Sequence, residues 1–99
     1  METLTKPEVV LLKTGNNFKV LEVKGIAGME MPEHHTTNEA TLLITEGSAV
    51  LKMDGKDILL QKDEVFFVPA NKKHSLLIKT KFKARVVMAK DCAIEFSKF

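Results

Sequence analysis

The segment Gly28–Gly47, GMEMPEHHTTNEATLLITEG, decides the fold of this 99-residue chain. It starts at a turn, continues through two adjacent histidines and a glutamate, and ends in a run of β-branched and aliphatic residues before a second glycine. Imidazole and carboxylate groups are potential metal ligands, and β-branched residues favour strands. The segment therefore predicts a strand that bears potential functional side chains. The only other segment that obviously complements it is Pro69–His74.

On both sides of this segment, apolar and polar residues alternate with a period of two, which is typical of short strands. The dipeptide Asp54-Gly55 separates two such runs and predicts a two-residue hairpin turn. The predicted strands cover residues 9–13, 18–24, 34–45, 48–53, 56–61, 65–68, 74–80, 82–88 and, as an optional ninth, 93–96. No convincing amphipathic helix is present, so the pattern predicts an all-β sandwich or closed barrel.

The residues after position 73 also predict which side of each strand faces inward. The basic residues Lys79, Lys81, Lys83 and Arg85 follow a strict period of two. The opposite parity holds His74, Leu76, Ile78, Phe82 and Val86. We therefore expect the second set to be interior and the basic set to form an outer face or edge.

Composition limits the classes of function. A chain of 99 residues forms one domain, 1–99, with a single core. The net charge of +2 is too small to indicate nucleic-acid binding, and the chain has no Trp or Tyr to stack on bases. The longest apolar runs are only a few residues, far short of the roughly 20 that span a bilayer. We expect neither a nucleic-acid partner nor a membrane partner.

The N-terminus and the cysteine content predict the compartment. The opening METLTKPEVV lacks the basic start and apolar centre of a secretory signal. Cys92 is the only cysteine, so no intrachain disulfide is possible. No activating group is visible near it in sequence, so we expect a structural thiol rather than a nucleophile. A cytoplasmic location follows as the default.

The spacing within Gly28–Gly47 resembles the first motif of the cupin family. In words, that motif is Gly, five residues, His, one residue, His, three residues, Glu, six residues, Gly. Both glycines and the first histidine, His34, fit without a gap. The same register places Thr36 at the second histidine and Ala40 at the glutamate.

The second cupin motif lies further on. It is Gly, five residues, Pro, one residue, Gly, two residues, His, three residues, Asn. Pro69 and His74 match, while Asp63, Asn71 and Ile78 replace the other three positions. Asn at a glycine position is a mild departure because Asn tolerates positive φ. The resemblance covers about residues 18–90, and it implies a cupin-type jelly-roll β-barrel of two antiparallel sheets. Because cupins are often dimeric, it also implies a homodimer.

The resemblance further implies a pocket between the two sheets. Its expected lining is His34, Thr36, Ala40, His74 and Met31. Cupins commonly hold a divalent metal here with three His and one Glu, and such ligands suit Zn, Fe, Mn, Ni or Cu. Only His34 and His74 survive in the gapless register, where three or four protein ligands are normal. The sequence therefore implies no cofactor firmly, although a divalent transition metal remains an alternative.

A rival register shifts the strand by one residue, since His35 and Glu39 have the spacing of the motif's second His and its Glu. Its metal ligands would be Glu33, His35, Glu39 and His74. A one-residue slip turns every side chain to the other face, so the registers exclude each other. The gapless register buries Ala40, Leu42 and Ile44, whereas the rival buries Thr41, Leu43 and Thr45. The first set is more apolar, which favours the gapless register. A β-bulge near Thr37-Asn38 would let His35 join His34.

Three hypotheses of function follow. The first is a small-molecule-binding module without a tightly held metal, with His34 and His74 in an apolar pocket. Such a pair titrates near neutral pH, so it would bind an anion when protonated or act as acid and base. The second is a metal-dependent enzyme, of the isomerase or dioxygenase type, that uses His34 and His74 with His35 or a carboxylate. The third is a structural barrel that dimerises through its sheet.

Overall fold

A computed structural model describes residues 6–97, and this part of the chain consists of strands and turns without a helix. The ten strands are β1 Glu8–Thr14, β2 Phe18–Gly25, β3 Glu30–Thr36, β4 Ala40–Glu46, β5 Ser48–Met53, β6 Lys56–Gln61, β7 Val65–Val68, β8 His74–Ile78, β9 Phe82–Ala89 and β10 Ile94–Phe96. Across residues 6–97, no helix is long and apolar enough to cross a membrane.

The strands form two five-stranded sheets. The first sheet has the order β1-β2-β9-β4-β7, and the second has the order β10-β3-β8-β5-β6. Every pairing within the sheets is antiparallel. The chain crosses between the sheets several times, as in a jelly roll, so the predicted fold class is confirmed.

Alternate residues of both sheets form the core. Ile44, Leu51, Ile78 and Met88 come from four different strands and are almost completely excluded from solvent. On β8 and β9 the residues predicted to be interior are all buried. The predicted parity of these two strands is therefore confirmed.

One predicted strand, 34–45, is wrong. The segment forms two strands in different sheets, β3 and β4, joined by a turn at residues 37–39. Hydrogen bonds close this turn, because the Thr36 hydroxyl donates to the Asn38 carbonyl at 2.8 Å and the Thr37 amide donates to the Ala93 carbonyl at 3.0 Å. The β-branched residues favour a strand on each side, but they do not reveal where the chain changes sheet.

Positive φ angles occur at all four glycine positions of the two motifs. Gly28 and Gly47 have φ of 92° and 73°, and the replacements Asp63 and Asn71 have 73° and 61°. Asp and Asn are the non-glycine residues that adopt this region most readily. The chain thus keeps the backbone conformation of the motifs where it has lost their glycines. The Asp54-Gly55 turn also has positive φ at both residues, 57° and 71°, which confirms the predicted hairpin.

Candidate functional site

A small cavity of about 50 Å³ lies between the two sheets. Its lining is hydrophobic except for His34, Thr36 and His74. The structure places all five predicted pocket residues around it, since Met31 and Ala40 complete the set. A volume of this size holds a few water molecules and is smaller than most sites for organic ligands.

His34 and His74 meet in this cavity because β3 and β8 pair there. The register changes from Met31 opposite Leu76 to His34 opposite His74, so two residues of β3 oppose one residue of β8. The extra residue lies at Pro32-Glu33, where proline has no amide to offer the ladder. The two rings are edge to face, with centroids 4.2 Å apart and planes at 65°.

The same hydrogen bond holds each ring. His34 Nδ1 lies 2.7 Å from the carbonyl of Pro32, and His74 Nδ1 lies 2.9 Å from the carbonyl of Lys72. A carbonyl only accepts, so Nδ1 is the nitrogen that carries the proton. In a neutral ring, Nε2 is then an acceptor, and neither Nε2 is hydrogen-bonded to any residue between positions 6 and 97.

Burial keeps both rings neutral. The pKa of His34 is lowered from 6.5 to about 4, mainly by desolvation. The nearby His74 and His35 contribute to this shift, and the hydrogen bond to the Pro32 carbonyl opposes it. Desolvation also lowers the pKa of His74, although its bond to the Lys72 carbonyl acts in the other direction. Near neutral pH the pair is uncharged, so it suits hydrogen-bond donors and not the anion considered from the sequence.

The rival register is wrong. His35 points to the outer face of β3, where its Nε2 lies 3.1 Å from Oε1 of Glu95 on β10. Glu33 and Glu39 are exposed and do not join His74. The bulge predicted near Thr37-Asn38 is also wrong, because those residues form the turn described above. The gapless register is confirmed, since Ala40 and Ile44 are buried and Leu42 lines the cavity.

The residues present do not fit the metal centre that the cupin resemblance implies. In the described part of the chain, no three His, Cys, Asp or Glu residues are grouped to hold an ion. The Thr36 hydroxyl donates to a carbonyl, and Ala40 offers only a methyl group. Two imidazoles fall short of the three or four protein ligands of a typical site.

Strand β10 contributes to the site in a way that the sequence did not reveal. Ile94 lines the cavity, and the ring of Phe96 tilts against that of His34 with centroids 5.2 Å apart. The only signal was the period of two in the optional strand 93–96. Just before this strand, Cys92 is buried with its thiol 3.7 Å from the Asn38 carbonyl, as expected of a structural cysteine.

Sequence comparison connects this geometry to known proteins. Residues 21–90 match the family model described as cupin domain. Over 61 residues, which are 61% of this chain, the sequence is 33% identical to the tetracenomycin polyketide synthase protein TcmJ of Streptomyces glaucescens. The matched region spans only 41% of that protein.

Structural comparison shows the same fold. A cupin superfamily protein from Desulfitobacterium hafniense has a TM-score of 0.78 at 23% identity, over 92% of this chain and 84% of that one. The polyketide cyclase RemF from Streptomyces resistomycificus has a TM-score of 0.73 at 19% identity, over 86% of this chain and 63% of that one. With a family model that matches most of its length, the chain belongs to the cupin family.

Proposed function

We propose that this cupin binds a largely apolar small molecule bearing a hydroxyl group, without a tightly held metal. The observation that carries the proposal is the pair of neutral imidazoles, whose Nδ1 protons are committed to backbone carbonyls. One Nε2 then accepts a hydrogen bond from the ligand hydroxyl, and the hydrophobic lining supplies the rest of the binding free energy.

The chemistry of the cavity narrows the ligand class. An acceptor left without a donor in an apolar space costs about 1–3 kcal/mol, so a ligand hydroxyl is favoured over an ether or a hydrocarbon. TcmJ and RemF both carry polyketide in their names, and RemF is named a cyclase. Together with the hydroxyl that the imidazoles favour, this makes a phenolic ring compound our proposed ligand class. The cavity must widen to admit it, and the flexible side chains of Met31 and Met88 line the wall.

A matched pair of probes tests the proposal. 1-Naphthol has a hydroxyl donor, whereas 1-methoxynaphthalene has the same rings without one. We expect naphthol to bind at least tenfold more tightly, which is about 1.4 kcal/mol, and to change the Nε2 chemical shift of the imidazole, His34 or His74, that accepts its hydroxyl. Equal binding of the two probes, or binding that leaves both imidazoles unchanged, contradicts the proposal.

Three variants separate the imidazoles from general stability. We expect the variant that removes the accepting Nε2, either His34→Leu or His74→Leu, to reduce naphthol binding to the level of the methyl ether. His35→Leu is the matched control, since His35 lies on the outer face of the same strand. Binding that survives both cavity variants places the probe elsewhere on the protein.

A metal-dependent isomerase or dioxygenase is the second candidate. What favours it is the convergence of His34 and His74, because two imidazoles on one cavity are half of a cupin metal set. Metal analysis of tag-free protein distinguishes the candidates. Stoichiometric transition metal that disappears in a His34→Ala, His74→Ala double variant would replace our first proposal with this one.

A further inference from the structure

A second concave site lies outside the cavity that contains the two imidazoles, which we call the histidine cavity. It is an open groove of about 670 Å³, within the range of roughly 300–1,000 Å³ that is typical of small-molecule sites. Six charged side chains line it, namely Lys6, Lys24, Lys81, Lys83, Glu8 and Glu46. We call this site the lysine groove.

The strand register separates the lysine groove from the histidine cavity. Ala40 lines the cavity and pairs with Met88. Glu46 lines the groove and pairs with Lys83, at the other end of the same two strands. A strand rises about 3.3 Å per residue, so the two pairs lie roughly 15–20 Å apart. The buried Phe82 contributes to both linings, and its ring therefore forms the wall between two distinct sites.

The excess positive charge of the protein is concentrated at the lysine groove. The chain has 15 basic and 13 acidic residues, and four of the basic and two of the acidic ones line the groove. Outside the groove, basic and acidic side chains are therefore equal in number. A net charge of +2 suits a dianion, and a phosphate monoester carries about −1.5 to −2 near neutral pH.

Two of the lysines lie directly opposite each other in the first sheet. Lys24 on β2 pairs with Lys83 on β9, and like charges at such positions repel. Lys24 has a salt bridge to Glu8 at 3.4 Å, whereas Lys81 and Lys83 have none within residues 6–97. Glu46 pairs with Lys83 in the register but makes no salt bridge with it. A dianion between the ammonium groups relieves the repulsion.

The lysine groove also offers an apolar surface and a backbone donor. Ile26 is 58% exposed in the groove, and Met29 and Phe82 line it as well. In the described part of the chain, the Ile26 amide donates only to the Met29 sulfur, at 3.5 Å. A thioether is a weak acceptor, so an anionic oxygen is a stronger partner for this amide.

We propose that the lysine groove binds a phosphate monoester with an apolar body. The phosphate contacts the ammonium groups of Lys24, Lys81 and Lys83. The Ile26 amide donates to one of its oxygens, and the apolar body packs against Met29. This site is independent of the hydroxyl-bearing ligand proposed for the histidine cavity.

Calorimetric titration of the full chain with 1-naphthyl phosphate tests the proposal. We expect it to bind at least about tenfold more tightly than inorganic phosphate, because only the ester has an apolar body. Its affinity should fall as the salt concentration rises, because ions screen the lysines. Equal affinity for the two phosphates, or an affinity that does not depend on salt, overturns the proposal.

Two double variants separate the groove from the general charge of the protein. Lys81→Gln with Lys83→Gln should weaken the binding of 1-naphthyl phosphate at least about tenfold. Lys56→Gln with Lys62→Gln is the matched control, because it removes the same charge from exposed positions outside the groove. Equal weakening by both pairs overturns the proposal.

NMR spectra locate the probe. 1-Naphthyl phosphate should shift the amide signal of Ile26 and leave the imidazole signals of His34 and His74 unchanged. Shifted imidazoles with an unchanged Ile26 amide place the probe in the histidine cavity and overturn the proposal. Because 1-naphthol is followed at the imidazoles and this probe at Ile26, either proposed site can fail without the other.

Vesicles of phosphatidic acid in phosphatidylcholine present the same phosphate chemistry on a membrane. We expect the protein to remain in solution when these vesicles are sedimented, because the groove encloses a single small molecule. Sedimentation with the vesicles, without binding of the soluble ester, overturns the proposal in favour of a lipid surface.

Discussion

At the scale of single residues, the place of His34 and His74 in the fold sets their protonation and hydrogen bonding. Catalytic side chains beside them do not. Water stabilises a charged imidazole, so burial between the sheets lowers the pKa of both rings. A carbonyl two residues earlier then selects the nitrogen that keeps the proton. The same local geometry at His34 and His74 turns two ordinary histidines into a matched pair of hydrogen-bond acceptors.

Because the two imidazoles are neutral in the folded protein, we expect the free energy of unfolding to depend on pH. His34 has a pKa of about 4 in the folded protein, below its ordinary 6.5, so the unfolded chain binds more protons between these values. The neutral His34 should make its full contribution to the free energy of unfolding above pH 6.5. This contribution should decrease as the pH falls and be lost below about pH 4, a change of about 3 kcal/mol. His74 acts in the same direction.

Urea unfolding measures this effect by circular dichroism, because the chain has no Trp or Tyr for fluorescence. His34→Asn keeps a donor for the Pro32 carbonyl but does not titrate, so its stability should depend less on pH between 6.5 and 4. Leu59→Ala, at an exposed position of the second sheet that does not titrate, should leave the dependence as in the wild type. An unchanged slope in His34→Asn would contradict the neutral, buried imidazole.

Gly47 and Gly55 provide a second residue-scale prediction, because their φ angles are nearly equal at 73° and 71°. A Cβ at Gly47 would collide with the Lys81 carbonyl, whereas a Cβ at Gly55 would meet nothing within 4 Å. We expect Gly55→Ala to cost about 1 kcal/mol for its conformation, and Gly47→Ala to cost more than about 2 kcal/mol. Equal losses of unfolding free energy in the two variants, measured with urea, would show that the backbone at Gly47 shifts to accommodate the added Cβ.

At the scale of elements, alternation predicted most strands well because most strands have one buried face. The predicted bounds of β5, β6 and β7 are those of the structure. The change of sheet after Thr36 was missed because the residues on both sides favour strands. The turn depends on a hydrogen bond to the distant Ala93, which no local pattern contains. The bulge at Pro32-Glu33 was likewise missed, although it decides that His34 faces His74.

From the contact between β10 and His34, we predict that Phe96 keeps solvent away from the imidazole. Phe96 lies against His34 and is itself 49% exposed, so its ring shields the imidazole from solvent on one side. Phe96→Ala should raise the pKa of His34 towards 6.5, because water then stabilises the charged ring. Imidazole NMR shifts followed across pH measure this. Leu59→Ala serves as the control, since Leu59 is 51% exposed on β6, at the opposite edge of the sheet from β10. An unchanged pKa would mean that the sheets alone exclude water.

At the scale of the whole molecule, the fold was more predictable than the site. The spacing between motif residues depends on the positions of turns and on strand lengths. The turns at Asp63 and Asn71 keep a positive φ although these residues replace the glycines of the motif. The cavity depends instead on contacts between distant segments, such as Phe96 against His34, and on its size, which no spacing reports. The sequence therefore predicted which residues share a pocket, but not that the pocket is small and closed by β10.

Because the cavity is small, we expect alanine-to-valine substitutions at Ala40 and Ala49 to have opposite effects on the free energy of unfolding. Ala40 and Ala49 are both buried strand residues, 2% and 0% exposed, but only Ala40 lines the cavity. Ala40→Val fills empty space and should raise the free energy of unfolding by about 1 kcal/mol while abolishing naphthol binding. Ala49→Val has no space to fill and should lower it by roughly 1–3 kcal/mol. Urea unfolding and naphthol titration measure both effects. A loss of stability in both variants would show that the cavity closes around Ala40, whereas naphthol binding that survives Ala40→Val would place the ligand outside the barrel.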